Sequence, residues 1–217
     1  MCLQSLGQSF AGVSDIKKKL DQEKDSTISQ QGSVADSTMT QEEIFNEVLK
    51  KAEAGDAEAQ FKIGEMYENE EGVSFDGKKA NEWYTKSAEQ GNPYALYAIG
   101  LNYEFGDGVE KNQNKADELY KNAVKILSSL SEQGDSNAQF QLGEMYSEGS
   151  GVAQDDKKSV ELYTRAAEQR NVHAQKRLGW IYEDGEKVVQ DKKKAFEWFN
   201  RAAEQGDARA QIILGRM

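Results

Sequence analysis

The sequence predicts an all-α solenoid of about four and a half two-helix repeats stacked side by side. Three observations predict it. A short glycine-centred segment returns five times, a second amphipathic segment returns between the copies, and the connectors carry glycines and short oxygen side chains at fixed offsets. Self-similarity at a period of a few tens of residues marks stacked units that cannot bury their own apolar faces alone.

The first segment reads AQFKIGEMY from Ala59, ALYAIGLNY from Ala95, AQFQLGEMY from Ala138, AQKRLGWIY from Ala174 and AQIILGRM from Ala210. Its glycines, Gly64, Gly100, Gly143, Gly179 and Gly215, are spaced 36, 43, 36 and 36 residues apart. Ala59, Ile63 and Tyr67 lie at i, i+4 and i+8 and form one face of a helix. A glycine inside a helix costs about 1 kcal/mol against alanine. Its return in five slots predicts a tight backbone contact with a neighbouring helix. Tyr67, Tyr103, Tyr146 and Tyr182 are expected in the core.

The second segment reads KKANEWYTKSAEQGN, NKADELYKNAV…SEQGD, KKSVELYTRAAEQRN and KKAFEWFNRAAEQGD. Ala80, Trp83, Tyr84, Ser87 and Ala88 make a wide apolar stripe at helical spacing. Trp83 and Trp198 share a slot with Leu119 and Leu162 and read as packing residues.

The connectors follow the same period. Gly72, Gly108 and Gly151 each precede a valine, as expected where a helix end needs a positive φ. Asp76, Asn112, Asp155 and Asp191 stand where the next helix needs an N-cap acceptor. Gly55, Gly91, Gly134 and Gly206 separate one repeat from the next; Lys187 and Arg170 replace glycine in the fourth unit and predict local strain. The seven extra residues of the second unit fall within NAVKILSSLSEQGD. Seven residues fall about 20° short of two full turns, so the second helix lengthens with its apolar face kept inward. That helix is expected to project past its neighbours and offer its tip as a contact point.

One stretch imitates a nucleotide-binding loop. GVSFDGKKA has Gly72, four residues, then Gly77 and Lys78. A phosphate loop needs a preceding strand and a Ser or Thr after the lysine. Lys79 stands there instead, the preceding segment is helical, and the same slot reads GVEKNQNKA, GVAQDDKKS and KVVQDKKKA elsewhere. It is a turn followed by a basic helix start.

The pattern A-x-A-Q-x-x-L-G-x-x-Y, G-x-G-V, D-x-x-K-A, W-Y-x-x-A-A-x-Q-G-D resembles the Sel-one-like repeat family, relatives of the tetratricopeptide repeats. The resemblance covers about residues 55–217, with units at 55–90, 91–133, 134–169, 170–205 and a partial unit at 206–217. It implies a right-handed α/α superhelix that serves as an adaptor for protein assembly, with no family-wide catalytic activity and no cofactor.

The ends are expected to differ from the repeats. Residues 1–39 are rich in Ser, Gln, Asp and Lys and read as a disordered tail. Thr40 and Glu43 form a capping-box signature that opens a helix over 40–54, with Ile44, Val48 and Ala52 covering the first unit. ARAQIILGRM ends inside the first helix of a fifth unit and exposes apolar positions, as expected either of a fragment ending mid-repeat or of a partner subunit packing there; self-association through that end is the rival structural reading.

Composition narrows the function. A net charge of −11 argues against nucleic acid and anionic membrane surfaces as partners. The single cysteine, Cys2, and single histidine, His173, leave little material for thiolate clusters, histidine metal sites or Ser-His-Asp triads. The lone cysteine suits a reducing compartment, so a cytoplasmic location is expected, with a secreted or periplasmic one open if a leader has been trimmed. No run of 18 apolar residues occurs. Acidic turns such as ENEEG and EFGDG lack the alternating ligands and closing Glu of a calcium loop.

By the resemblance, the Ala/Gly/Tyr helices line the inner face. Positions opposite the Ala59–Ile63–Tyr67 stripe then supply the groove candidates: Phe61, Tyr97, Phe140 and Lys176 in one slot, Leu101 and Trp180 in a second, Tyr94 in a third. Phe61, Tyr97 and Phe140 fit packing between repeats as well as groove contact. His173 reads as a solvated surface residue. The expected function is a non-catalytic scaffold that binds a peptide or helix of another protein, basic in character; a hydrolase on the same scaffold is the remote alternative.

Overall fold

The computed structural model describes residues 39–185 and 187–217. Apart from Met39, the expected tail and Cys2 lie outside the described residues. Those residues form an all-α repeat solenoid of ten helices. Helix α1 (Gln41–Glu53) precedes four pairs: α2 (Ala57–Asn69) with α3 (Gly77–Glu89), α4 (Pro93–Phe105) with α5 (Gln113–Glu132), α6 (Ser136–Glu148) with α7 (Asp156–Glu168), and α8 (Val172–Asp184) with α9 (Lys192–Glu204). Helix α10 (Ala208–Arg216) is a first helix with no second one described.

Helix starts are fixed by short oxygen side chains. In α1 the Thr40 hydroxyl accepts from the Glu43 amide at 3.2 Å while Glu43 accepts from the Thr40 amide at 2.7 Å. Asp76, Asn112, Asp155 and Asp191 cap the second helices, and Asp56, Asn92, Asp135, Asn171 and Asp207 cap the first. Each satisfies amides that the helix itself leaves unpaired. At the junction between repeats the chain turns through positive φ, and Arg170 holds φ 67° where the other units have glycine.

Within each pair the recurring glycine is a socket for an aromatic ring. A Cβ at Gly143 would stand 2.7 Å from Tyr163 Cε1, and one at Gly179 2.6 Å from Phe199 Cε1. Gly64 and Gly100 meet Tyr84 and Tyr120 in the same way. Four residues before and three after each ring stand small residues: Ala80 and Ser87, Ala116 and Ala123, Ser159 and Ala166, Ala195 and Ala202. All are buried with the ring they flank. The core tyrosines are therefore those of the second helices. Of the tyrosines expected in the core, Tyr67 is buried, but Tyr103, Tyr146 and Tyr182 are half-buried at the rim. A lysine from the first turn of the second helix covers each of those rings, Lys115 and Lys158 at 4.2 Å from the centroid and Lys194 at 5.1 Å.

Between repeats, a buried glutamine ties the stack together. Gln60, Gln139 and Gln175 donate to the carbonyls of Ala52, Ser131 and Ala167 at 3.0–3.2 Å. Their own side-chain carbonyls accept from Gln90, Gln169 and Gln205 at 2.7–2.8 Å. This explains both glutamines of the repeat pattern. Leu96 takes the slot in the second repeat.

The seven extra residues do not make a free tip. They make a step. The C-terminal half of α5 buries Leu127 and Ser131, and Ser131 receives Gln139 from α6. A Cβ at Gly108 would meet Gly77, the first residue of α3, whereas one at Gly151 would meet Tyr120, in the middle of α5. Repeats one and two use the first part of α5; repeat three packs on the last part, displaced by about 10 Å along the axis. The apolar interior follows suit. It runs as three clusters, and half-buried Tyr103 packs against both the first and the second.

Candidate protein-binding face

The first helices form a row whose members touch through side chains. Phe61 on α2 stacks at a tilt on Tyr84 of its own repeat, 5.5 Å between centroids, and lies 6.1 Å from Tyr94 on α4. Phe140 on α6 packs on Tyr163 at 5.9 Å and lies 5.7 Å from His173 on α8. Phe61, Tyr94 and Phe140 are half-buried and His173 is exposed. These rings thus pack between repeats while keeping an open edge.

Tyr97 shows the step from the side of the row. Its ring packs on Tyr120 at 5.5 Å, as Phe61 does on Tyr84. By the register of the other repeats its neighbour on α6 would be Asn137. Instead its hydroxyl donates to Glu148 at 2.8 Å, eleven residues further along that helix. Burial and the nearby Glu148 carboxylate push the Tyr97 hydroxyl well above the ordinary tyrosine range, so it stays a donor at neutral pH.

The fourth repeat exchanges two positions. Lys176 stands where Phe61, Tyr97 and Phe140 stand elsewhere, and it pairs with Asp207, the cap of α10, at 2.7 Å. Trp180, one turn later, supplies the ring against Phe199, edge-on at 5.1 Å. Its outer part is free: Trp180 is 44% exposed, in a slot that holds Glu65, Glu144 and Arg216 in other units. Leu101, in the same slot, is half-buried in the second cluster.

Polar groups interleave with the rings. The hydroxyls of Tyr84 and Tyr120 donate to Glu68 at 2.9 Å and Glu104 at 2.6 Å. Tyr163 donates to Glu144 at 2.5 Å, and Arg177 joins the same carboxylate from α8 at 2.8 Å. At the amino-terminal end of the row a cavity of about 440 Å³ opens between Val48 and Lys51 of α1 and Phe61, Lys62 and Glu65 of α2. Neither the lysine caps over the rim tyrosines nor this cavity was anticipated from the sequence, although the recurring D-x-x-K offset carried the signal for the former. Among the described residues no group of three His, Cys, Asp or Glu side chains could hold a metal ion, and no helix is long and apolar enough to cross a membrane.

The Sel1 repeat profile matches residues 57–92, 93–125, 136–171 and 172–207. This chain belongs to the Sel1 repeat family. Sel1 repeat proteins generally act as protein-interaction scaffolds without catalytic activity. Among solved structures, c5321, a protective antigen of uropathogenic Escherichia coli strains with an SLR fold, is 36% identical. The match covers 80% of this chain and 36% of that one, with a TM-score of 0.50. A Sel1 repeat protein from Oxalobacter formigenes is 30% identical over 81% of this chain and 74% of its own, with a TM-score of 0.54. The immunity protein Pa5087 from Pseudomonas aeruginosa, 23% identical over 81% of this chain and 62% of its own with a TM-score of 0.51, shares the fold. The chain thus spans about a third of the length of the Escherichia coli antigen. A search of curated proteins finds no match.

Proposed function

We propose that this Sel1 repeat chain is a non-catalytic adaptor that holds a peptide or helix of another protein along its row of first helices. The observation that carries the reading is Trp180. Its inner edge is fixed by Phe199 while its outer part faces solvent, in a slot that holds charged residues in three of the other four units. A rigid aromatic side chain with one face packed offers large contact area at little cost in rotamer freedom. Phe61, Tyr94, Tyr97 and Phe140 continue the aromatic row, and Lys176, already paired with Asp207, stands beside it. The chain's net charge of −11 favours a partner segment of basic character.

The experiment is affinity capture from the native source with the intact chain and with Trp180→Ala. Loss of one specific protein on the variant, at least tenfold, with the thermal midpoint unchanged, supports the reading. Equal capture by both removes Trp180 from it. Leu101→Ala is a poorer probe, because Leu101 packs in the second cluster and its loss disturbs the fold. A basic partner segment also predicts weaker capture as salt rises. A cytoplasmic location is proposed together with this function, and fractionation of native cells checks it.

A further inference from the structure

Helix α4 turns an apolar stripe toward the open side of the row. Tyr97, Leu101 and Phe105 follow one another at i, i+4 and i+8, a line about 12 Å long. The same three slots read Phe61, Glu65 and Asn69 in α2, and Phe140, Glu144 and Glu148 in α6. Glu104 is the single charged residue among the thirteen of α4. A helix that is apolar all round belongs in an interior, yet Tyr94, Tyr97 and Leu101 are only half-buried and Phe105 is 56% exposed. The opening is not owed to a missing neighbour in the array. Tyr94 meets Phe61 of α2, Tyr97 meets Glu148 of α6, and Gly100 takes the ring of Tyr120 from α5. Carboxylates surround the stripe. Burial and the nearby Asp135 and Glu58 carboxylates push the Tyr94 hydroxyl upward. Tyr97 and Tyr120 donate to Glu148 and Glu104, bonds that satisfy a carboxylate without neutralising it. Arg177 reaches in from α8 and is taken up by Glu144.

We propose that α4 seats one amphipathic helix of the partner, lying along it with an apolar stripe over Leu101 and Phe105 and Lys or Arg on both flanks. This rests on the adaptor reading and specifies its occupant. Direction follows from the slots. Across the row the slot of Leu101 holds Glu65 and Glu144, so an apolar contact can run along α4 but not over its neighbours. Backbone chemistry then selects a helix. An extended peptide on this floor would leave N–H and C=O groups without partners, whereas a helix satisfies its own. The surrounding carboxylates select the flanks, because cations placed beside them gain attraction where acids would be repelled. A second copy fails on the same ground: it would bring an identical set of carboxylates, and a further net charge of −11, against the first. Thirteen residues of α4 span about 20 Å, which sets the occupant at about four turns.

The test titrates the intact isotope-labelled chain with a blocked model helix of about four turns. The peptide carries leucine along one face, lysine on both flanks of that face and alanine elsewhere. Expected is saturable binding, weaker as salt rises, with amide shifts centred on Leu101 and Phe105. Binding should fall at least tenfold for the same residues in scrambled order, for a peptide with glutamate in place of lysine, and for the Phe105→Asn protein. That variant carries the residue α2 has in this slot, Asn69, and its thermal midpoint should not fall. Trp180→Ala should leave this binding unchanged, so the Trp180 reading and this one fail separately. No binding at millimolar peptide, equal binding in any of the three comparisons, or shifts centred elsewhere would overturn the proposal. Sedimentation of the chain alone, showing a dimer abolished by Phe105→Asn, would assign the face to a second copy and overturn it too.

Discussion

Gly143 lies directly beneath the ring of Tyr163, and a Cβ on Gly143 would come 2.7 Å from Tyr163 Cε1. That single contact sets how closely α6 and α7 pack, and its equivalents do the same in the other pairs. Gly143→Ala must push a fully buried ring aside, at a cost of about 1–3 kcal/mol. Gly215→Ala, with open space around it, should leave stability unchanged or raise it by up to about 1 kcal/mol. Urea unfolding of the two variants checks the contrast; equal effects would mean that the ring does not depend on the glycine.

A second prediction concerns the one second helix whose aromatic residue lacks a hydroxyl. Tyr84 and Tyr120 donate to Glu68 and Glu104, four residues after the glycine of their repeat. In the fourth repeat that carboxylate is Glu183, whose Oε2 is buried with no partner, and the ring is Phe199. Phe199→Tyr should restore the pair and stabilise the chain by about 1–2 kcal/mol. The gain should vanish in the double variant with Glu183→Ala. A destabilised Phe199→Tyr would show that the hydroxyl does not reach.

Asn102 occupies a slot that holds Met66, Met145 and Ile181 in the other repeats. It is buried, and its Nδ2 has no acceptor. Asn102→Met removes an unsatisfied amide and fills the site with the side chain the neighbours use. Stability should rise by about 1–3 kcal/mol. Calorimetry decides, and a fall in the melting point would indicate that the amide is satisfied in solution.

The acid limb of stability should trace the helix caps. The hydrogen bond from the Lys79 amide holds Asp76 below the usual carboxylate range. Burial pushes Asp207 upward, but the bonds from Lys176 and the Ala210 amide outweigh it and bring it below that range as well. A carboxyl whose folded pKa is depressed stabilises the fold in full above its unfolded pKa, near 4, and loses that stabilisation as pH falls through the folded value. Asp207→Asn and Asp76→Asn should therefore cost stability at pH 7 and progressively less below pH 4. A constant cost across that range would rule out the linkage.

The step in the solenoid can be removed. Deleting Val124–Leu130 leaves ELYKNASEQGD, which matches the other second helices, and returns the glycine spacing to 36. The shortened chain should stay folded and helical, lose the Tyr97–Glu148 bond, and slide the third repeat back by about 10 Å. Spin labels at exposed Phe105 and Asn137 should report a shorter distance. An unchanged distance would place the displacement elsewhere.

Much of this architecture was legible in the sequence because it depends on local chemistry repeated in register. The Asp and Asn caps, the glycines between repeats and the T-x-x-E box each act within one or two turns of chain. The 3.6-residue stripe fixes which face of each helix turns inward. What only the tertiary structure decided lies between helices. The glycine and Tyr163-type ring are twenty residues apart, and nothing in their own segments says that one is the seat of the other. The same holds for the glutamine ladder from Gln60 to Gln90 and for rim tyrosines covered by lysines rather than buried. The seven added residues could equally have made a projecting tip. That they make a step follows from α6 packing on the last turns of α5, where Leu127 and Ser131 offer an apolar face that repeat three covers. Periodicity along one chain reports which side of a helix is apolar; which neighbour meets it, and at what height, is settled by close packing in three dimensions.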